Sequence, residues 1–268
     1  MSGIAAVPVS VVVCSIDPAK FSRVSENYRA LFAGRKLEII GIHDARSLAE
    51  GYNRGIAQAR GEHIILSHDD IEILTPDFAE RIERHLAQFD LIGIAGTTKL
   101  VTGKWELAGD PYVFVLISYP SPETGGYKTV LGGGGPLVTP GIQALDGVFI
   151  AMRRDVAISV PFDEATFDHF HLYDLDFSFR AYRAGYALAV CRDIVLIHQS
   201  MGNFSAAWDE YRRRFQAKHG VHLPATWTPK DGARAGFFAA TLDDIRARCN
   251  PERLAEVLAQ IDRANVDL

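Results

Sequence analysis

A short apolar run, Ile64-Ile65-Leu66, that stops at His68-Asp69-Asp70 constrains this chain more than any other stretch. A run of strand length without a polar residue needs burial on both faces, as a central strand of a parallel sheet has. Carboxylates at its C-terminal end then fall where open α/β sheets form their ligand crevice. Two adjacent acids beside a histidine are oxygen-rich ligands of the kind that hold Mg²⁺ or Mn²⁺ against phosphates. The same Asp-Asp, before Thr75-Pro76-Asp77, also reads as a turn that caps the next helix. The residues alone leave both readings open.

The chain before and after this run repeats one pattern. Residues 9–13 are β-branched and read as a buried strand, and Asp17-Pro18 caps a helix with Phe21, Val24, Tyr28 and Leu31 inward. Residues 37–42 form a second strand ending in His43-Asp44, and Ser47-Leu48-Ala49-Glu50 has the form of a capping box. A helix facing inward with Leu48, Tyr52, Ile56 and Ala59 stops at Gly61. Another with Phe78, Ile82, Leu86 and Phe89 leads to a strand over 91–95. Strand and helix alternate with short connections, which predicts βαβ units and a mostly parallel sheet flanked by helices.

The alternation breaks after Gly96. Residues 97–141 hold one strand candidate over 112–119 and otherwise turn formers, including Gly132-Gly133-Gly134-Gly135-Pro136, which reads as a surface loop or a gate. Order returns with a strand over 148–152, a helix with Leu175, Phe179 and Tyr182 inward, and short strands over 187–190 and 194–197, the last delivering His198. A helix with Trp208, Tyr211 and Phe215 on one face carries Arg212, Arg213 and Arg214, which read as a solvated face. Beyond Gly220 coil is expected, then a last helix from Pro251. Its stripe of Leu254, Leu258 and Ile261 needs cover from the main domain or from a second subunit of a homodimer.

Composition narrows the class of partner. Against 33 acidic residues stand 28 basic ones, a net charge of −5, so no global field favours nucleic acid or anionic lipid. Cys14, Cys191 and Cys249 are scattered, without a CxxC pair, which predicts reduced thiols. The N-terminus lacks a signal-peptide pattern, and no apolar run reaches transmembrane length. A soluble, cytoplasmic protein is expected.

Four segments in order resemble the family 2-type glycosyltransferases of the GT-A fold. Asn53-Arg54-Gly55 through Ala59-Arg60-Gly61-Glu62 into His68-Asp69-Asp70 is similar to their N-x-G…D-x-D segment. Asp146-Gly147-Val148-Phe149 through Arg153-Arg154, with Phe162-Asp163-Glu164, is similar to a signature of their second half. Tyr173-Asp174-Leu175-Asp176 through Arg180, with Ala184-Gly185-Tyr186, resembles their E-D-x-D-L-x-x-R…A-G-Y block. His198, six residues before Phe204-Ser205, sits where the family often has a late histidine. The resemblance covers about the first 220 residues, leaving 221–268 as a C-terminal extension. Two departures mark a divergent branch: His-x-Asp stands for D-x-D, and Tyr173 stands for the Glu of the Glu-Asp pair.

The resemblance implies a metal-dependent, inverting transfer of a sugar from a nucleotide-diphosphate donor to a saccharide or other hydroxyl acceptor. Asp70, His68 and His198 would hold Mn²⁺ or Mg²⁺, which offsets the charge of the leaving diphosphate. Asp17, Asp44, Asn53, Asp69 and Asp176 would fall on the substrate side, although Asp176 also suits a pair with Arg180 at i+4. Asp174, matching the Asp of the Glu-Asp pair, would be the base, with Asp163 and Glu164 next in line. Two alternatives remain at this level: a catalytically silent sugar-nucleotide binding protein, favoured by Tyr173, and a nucleotidyltransferase, disfavoured because no Gly-rich basic loop follows the first strand.

Overall fold

The computed structural model describes residues 7–202, 206–227 and 236–266, with side chains as far as 259. In chain order the first half runs β1 (Val9–Cys14), α1 (Pro18–Leu31), β2 (Leu37–Ile42), α2 (Leu48–Gln58), β3 (His63–Ser67), β4 (Ile71–Ile73), α3 (Phe78–Leu86), β5 (Leu91–Gly93) and β6 (Ala95–Thr97). There follow β7 (Val113–Ser121), β8 (Gly126–Gly132), β9 (Val138–Pro140), β10 (Ala144–Leu145), β11 (Phe149–Arg153), α4 (Arg154–Ser159), α5 (Tyr173–Arg183), β12 (Leu188–Cys191), β13 (Leu196–His198) and α6 (Ala206–His219). The chain ends with β14 (Gly236–Ala240), α7 (Leu242–Ala247) and α8 (Pro251–Val266).

Two sheets result. The first has the order β2-β1-β3-β11-β5-β12-β9, and the second β10-β6-β7-β13-β4, with β8 on β7 and β14 on β8. In the first sheet β1 pairs parallel with β2 and β3, and β5 with β12. However, β11 is antiparallel to both its neighbours, as is β9 to β12, so the sheet is mixed where a mostly parallel one was expected. The reason is local. β11 enters directly from β10 of the other sheet, without the crossover helix that parallel pairing requires.

Local chemistry explains the first half. Asp17 accepts from the backbone N–H of Ala19 and Lys20 at 2.8 and 3.1 Å, with Pro18 at the first helical position. Ser47 accepts from the N–H of Glu50 at 3.1 Å. Gly55 faces Val12, and an added Cβ would strike its Cγ1, so glycine lets α2 lie against β1. Ile64, Ile65 and Leu66 are buried, each stabilising the fold by about 1.5–3 kcal/mol.

The middle and the tail differ from expectation. Residues 97–141 contain a hairpin, β7–β8, which is the backbone of the second sheet. The glycine run is no gate: the Arg192 guanidinium, fully buried, donates to the carbonyls of Gly132, Gly133, Gly134 and Pro136. The tail is not coil before Pro251, because β14 extends the second sheet along β8. Ile245, Leu254 and Leu258 are buried against Leu116, Leu131, Val195 and Ile197, a small second core that this chain covers by itself. Phe204, Ser205 and the side chain of Ile261 lie outside the described residues. Among the described residues no helix is long and apolar enough to cross a membrane.

Candidate active site

The chain changes sheets repeatedly, and two of these crossings are His68-Asp69-Asp70, between β3 and β4, and Asp146-Gly147-Val148, between β10 and β11. β11 runs antiparallel to β3 with Phe149 opposite Ser67, which sets Gly147 beside the end of β3. β13 runs antiparallel to β4 with His198 opposite Ile71, and the N–H of Gln199 donates to the Asp70 carbonyl at 2.8 Å. Strand register therefore brings three distant segments to one place.

His198 Nε2 lies 3.1 Å from Asp70 Oδ1 and 3.4 Å from His68 Nδ1. One ligand atom from each of the three residues falls within 4.8 Å of the others. Burial opposes the charge on Asp70, yet hydrogen bonds from His198 and Ser200 and the nearby His68 hold its carboxyl well below the usual range. Burial, with His198 beside it, keeps His68 below the ordinary imidazole value. Two imidazoles and one ionised carboxylate form a donor set that suits a divalent ion. A second group, His85, Cys191 and Asp193, does not. Its carboxylate is engaged by His85 at 2.9 Å, with Arg81 and Arg84 each at 3.9 Å, and burial pushes the Cys191 thiol far up.

Next to the trio stands a pair of carboxyls. Asp174, in the first turn of α5, accepts from the N–H of Gly147 at 2.7 Å. Asp146 accepts from the N–H of Val148 at 3.0 Å and from Trp105 Nε1 at 3.3 Å. Burial and the charge of Asp146 push the Asp174 carboxyl up to about 7, against the pull of the Leu175 and Gly147 N–H groups. A Cβ on residue 147 would collide with the Tyr173 hydroxyl and with Asp174, so glycine is required there. The Tyr173 hydroxyl links the two groups, 3.2 Å from His68 Nε2 and 3.4 Å from the Gly147 carbonyl. α5 is anchored to β10 through Ser178, which accepts from the Leu145 N–H at 2.9 Å.

His68, Asp146, Gly147, Tyr173, Asp174 and His198 line one cleft together with Trp105, Glu106, Tyr119 and Trp208, and Asp70 adjoins it through His198. A second cleft of about 610 Å³ meets it at His68 and Phe170 and is lined by Cys14, Ser15, Ile42, Leu48 and Asp69. Asp69 is held there by the Ser15 hydroxyl at 2.7 Å, with Lys20 Nζ at 3.9 Å.

The structure thus gathers His68, Asp69, Asp70, Asp174 and His198 around the joined clefts, and four other candidates fall elsewhere. The Asn53 amide donates to the Phe162 carbonyl at 2.9 Å and accepts from the Phe162 N–H at 2.8 Å, clamping two segments together. Asp176 is fully buried and bound by His219 at 2.7 Å, Lys218 at 2.6 Å and Arg180 at 2.8 Å. Asp17 is engaged as the cap of α1, and Asp44 is paired with Arg54 at 2.6 Å, and neither lines either of these two clefts. Asp163 is tied to Lys218 at 2.6 Å. Arg212, Arg213 and Arg214 pair with Asp209, Glu210 and Asp168 along the surface of α6, as a solvated face does. Asp146 was missed, although its place immediately before Gly147 in the second-half signature was a usable signal.

The mixed sheet flanked by helices is similar to the fold of GT-A glycosyltransferases. The mannosyltransferase PcManGT from Pyrobaculum calidifontis, solved in complex with GDP-Man and Mn²⁺, matches with a TM-score of 0.51 at 11% identity, over 99% of this chain and 76% of that one. The S. aureus TarS 1–349 structure matches at 13% identity with a TM-score of 0.41, over 80% and 72%. No curated protein matches the sequence significantly. A model described as a glycosyltransferase-like family matches residues 10–219, and the chain belongs to that family. The protein is a glycosyltransferase.

Proposed function

We propose that the chain moves a glycosyl group from a nucleotide-diphospho-sugar to an acceptor hydroxyl, with inversion and with a divalent cation held by His68, Asp70 and His198. The observation that carries this reading is the run of contacts from His68 through the Tyr173 hydroxyl and Gly147 to Asp174, which puts a cation-type donor set and a proton acceptor in one cleft. PcManGT, crystallised with GDP-Man and Mn²⁺ in a fold of this kind, supports the choice of donor class and ion. Bound at the trio, the ion would neutralise charge that builds on the departing diphosphate.

The protein's own groups do the rest. The cleft lined by Cys14, Ile42 and Leu48 offers an apolar floor for the nucleoside, and Asp69, oriented by Ser15, faces its polar edge. The acceptor enters the first cleft, beside Trp105 and Trp208, flat rings on which a saccharide can lie. Asp174 takes the acceptor proton as the new oxygen–carbon bond forms and the carbon–phosphate-oxygen bond breaks, leaving the nucleotide diphosphate. A carboxyl with a pKa near 7 is a better base than an ordinary one. The three cysteines are free, in keeping with a reducing, cytoplasmic setting.

Hydrolysis of nucleotide-diphospho-sugars, followed with Mn²⁺ and with a chelator, tests the reading. Cation-dependent turnover is expected. Asp174→Asn should lower transfer by a factor of about 10² to 10⁴ while leaving donor affinity nearly unchanged. Turnover indifferent to the chelator, or parental rates in Asp174→Asn, would overturn it.

A further inference from the structure

The two departures from the family pattern, His68 for the first Asp of D-x-D and Tyr173 for Glu, touch each other. The Tyr173 hydroxyl is buried and lies 3.2 Å from His68 Nε2. Asp70 can only accept, so the proton between it and His198 Nε2, 3.1 Å away, sits on the histidine, which also faces His68 Nδ1 at 3.4 Å. Nδ1 is therefore the acceptor, and His68 carries its ring proton on Nε2, toward the Tyr173 hydroxyl, whose own proton has the Gly147 carbonyl at 3.4 Å and the Tyr52 hydroxyl as acceptors. That leaves Nδ1 bare, and Nδ1 is the nitrogen that faces His198 Nε2 and, through it, Asp70. A hydrogen bond on the far nitrogen is how proteins fix the tautomer of a histidine ligand.

We infer that Tyr173 is a positioning residue that presents His68 Nδ1 to the cation, and that the resulting site of two imidazoles and one carboxylate takes a transition-metal ion and discriminates against Mg²⁺. The inference rests on the cation reading proposed above. Mg²⁺ demands an octahedron of oxygens and keeps its waters, whereas Mn²⁺ and the later divalent ions bind imidazole increasingly well. A D-x-D site offers both classes of ion only oxygen. Exchanging its first carboxylate for imidazole removes an oxygen and a charge that Mg²⁺ uses. Tyr173 completes that exchange, since its hydroxyl accepts from His68 Nε2–H without adding a further carboxylate beside Asp174 and Asp146. Gly147 takes part as well, because any side chain there would collide with the hydroxyl.

Calorimetric titration of the chelator-treated full chain with MnCl₂ and MgCl₂ tests this without reference to turnover. Mn²⁺ should bind at least about tenfold more tightly than Mg²⁺. Tyr173→Phe keeps the ring against Tyr52 and Phe162 and removes only the hydroxyl. It should weaken Mn²⁺ binding by about 10- to 100-fold and barely change Mg²⁺ binding. His68→Asp should strengthen Mg²⁺ binding and make the Tyr173→Phe change silent toward Mn²⁺ in the double variant. In ¹⁵N NMR of the parent protein without metal, His68 should be the Nε2–H tautomer, a signature that decides the matter even if Tyr173→Phe fails to fold. Equal affinity for Mn²⁺ and Mg²⁺, parental Mn²⁺ binding in folded Tyr173→Phe, or an Nδ1–H tautomer overturns the inference and leaves the cation reading standing. Failure to bind either ion brings down both.

Discussion

Asp174 shows how one residue can serve stability and chemistry in opposite senses. Its carboxyl is pushed up to about 7 by burial and by Asp146, from an ordinary value of 3.8. The folded state therefore retains a proton that the unfolded chain releases, so the stability tied to this group is complete below about 3.8 and is lost as pH rises through about 7. As the proposed base, in contrast, Asp174 would work only once that proton has gone. The transfer rate should accordingly rise along an acidic limb centred near pH 7, and Asp146→Asn should move that limb downward, as a pH–rate profile of the two proteins will show. Asp176 behaves in the contrary way. Burial opposes its charge, but His219, Arg180 and Lys218 hold its carboxyl low, so the stability it adds is present above the unfolded value and lost as pH falls through the lowered one. Asp176→Asn should cost about 3 kcal/mol at neutral pH, measured by urea unfolding, since it leaves the half-buried Arg180 and Lys218 without their shared anion. Two acids two positions apart in one motif thus have unlike roles. Spacing made both plausible site residues, and only the partners told them apart, just as only Phe162, 109 positions away, revealed Asn53 as a clamp.

Elements were legible where their signal was local. The caps at Asp17 and Ser47 and the apolar runs of β1 and β3 follow from residues within a few positions of each other. Of the β7–β8 hairpin only β7 was legible; β8 was not, because its other partner is the distant β14 and its end is a run of glycines. That run reads as a gate on composition alone. What fixes it is a single buried cation from the β12–β13 turn, Arg192, satisfying several carbonyls at once. Arg192→Met should destabilise the protein by about 3 kcal/mol through unpaired carbonyls, and hydrogen exchange at Gly132–Gly135 should quicken in the variant. In the parent, exchange there should be insensitive to nucleotide, where a gate would slow.

At the scale of the molecule, the candidate site occupies the places where the chain changes sheets, so its parts are far apart in sequence. His68 meets Tyr173 across 105 positions and His198 across 130. The proposed cation site is incomplete until His198 has been made, and pairings of such separation form late in folding. An ion that binds there cannot guide the search for the fold and can only delay its loss. In stopped-flow refolding, Mn²⁺ should leave the folding rate as it was and slow unfolding in proportion to the stability it adds. The proposed site is held shut by β13 on β4 and β11 on β3, so on heating a bound ion would leave when those pairings open.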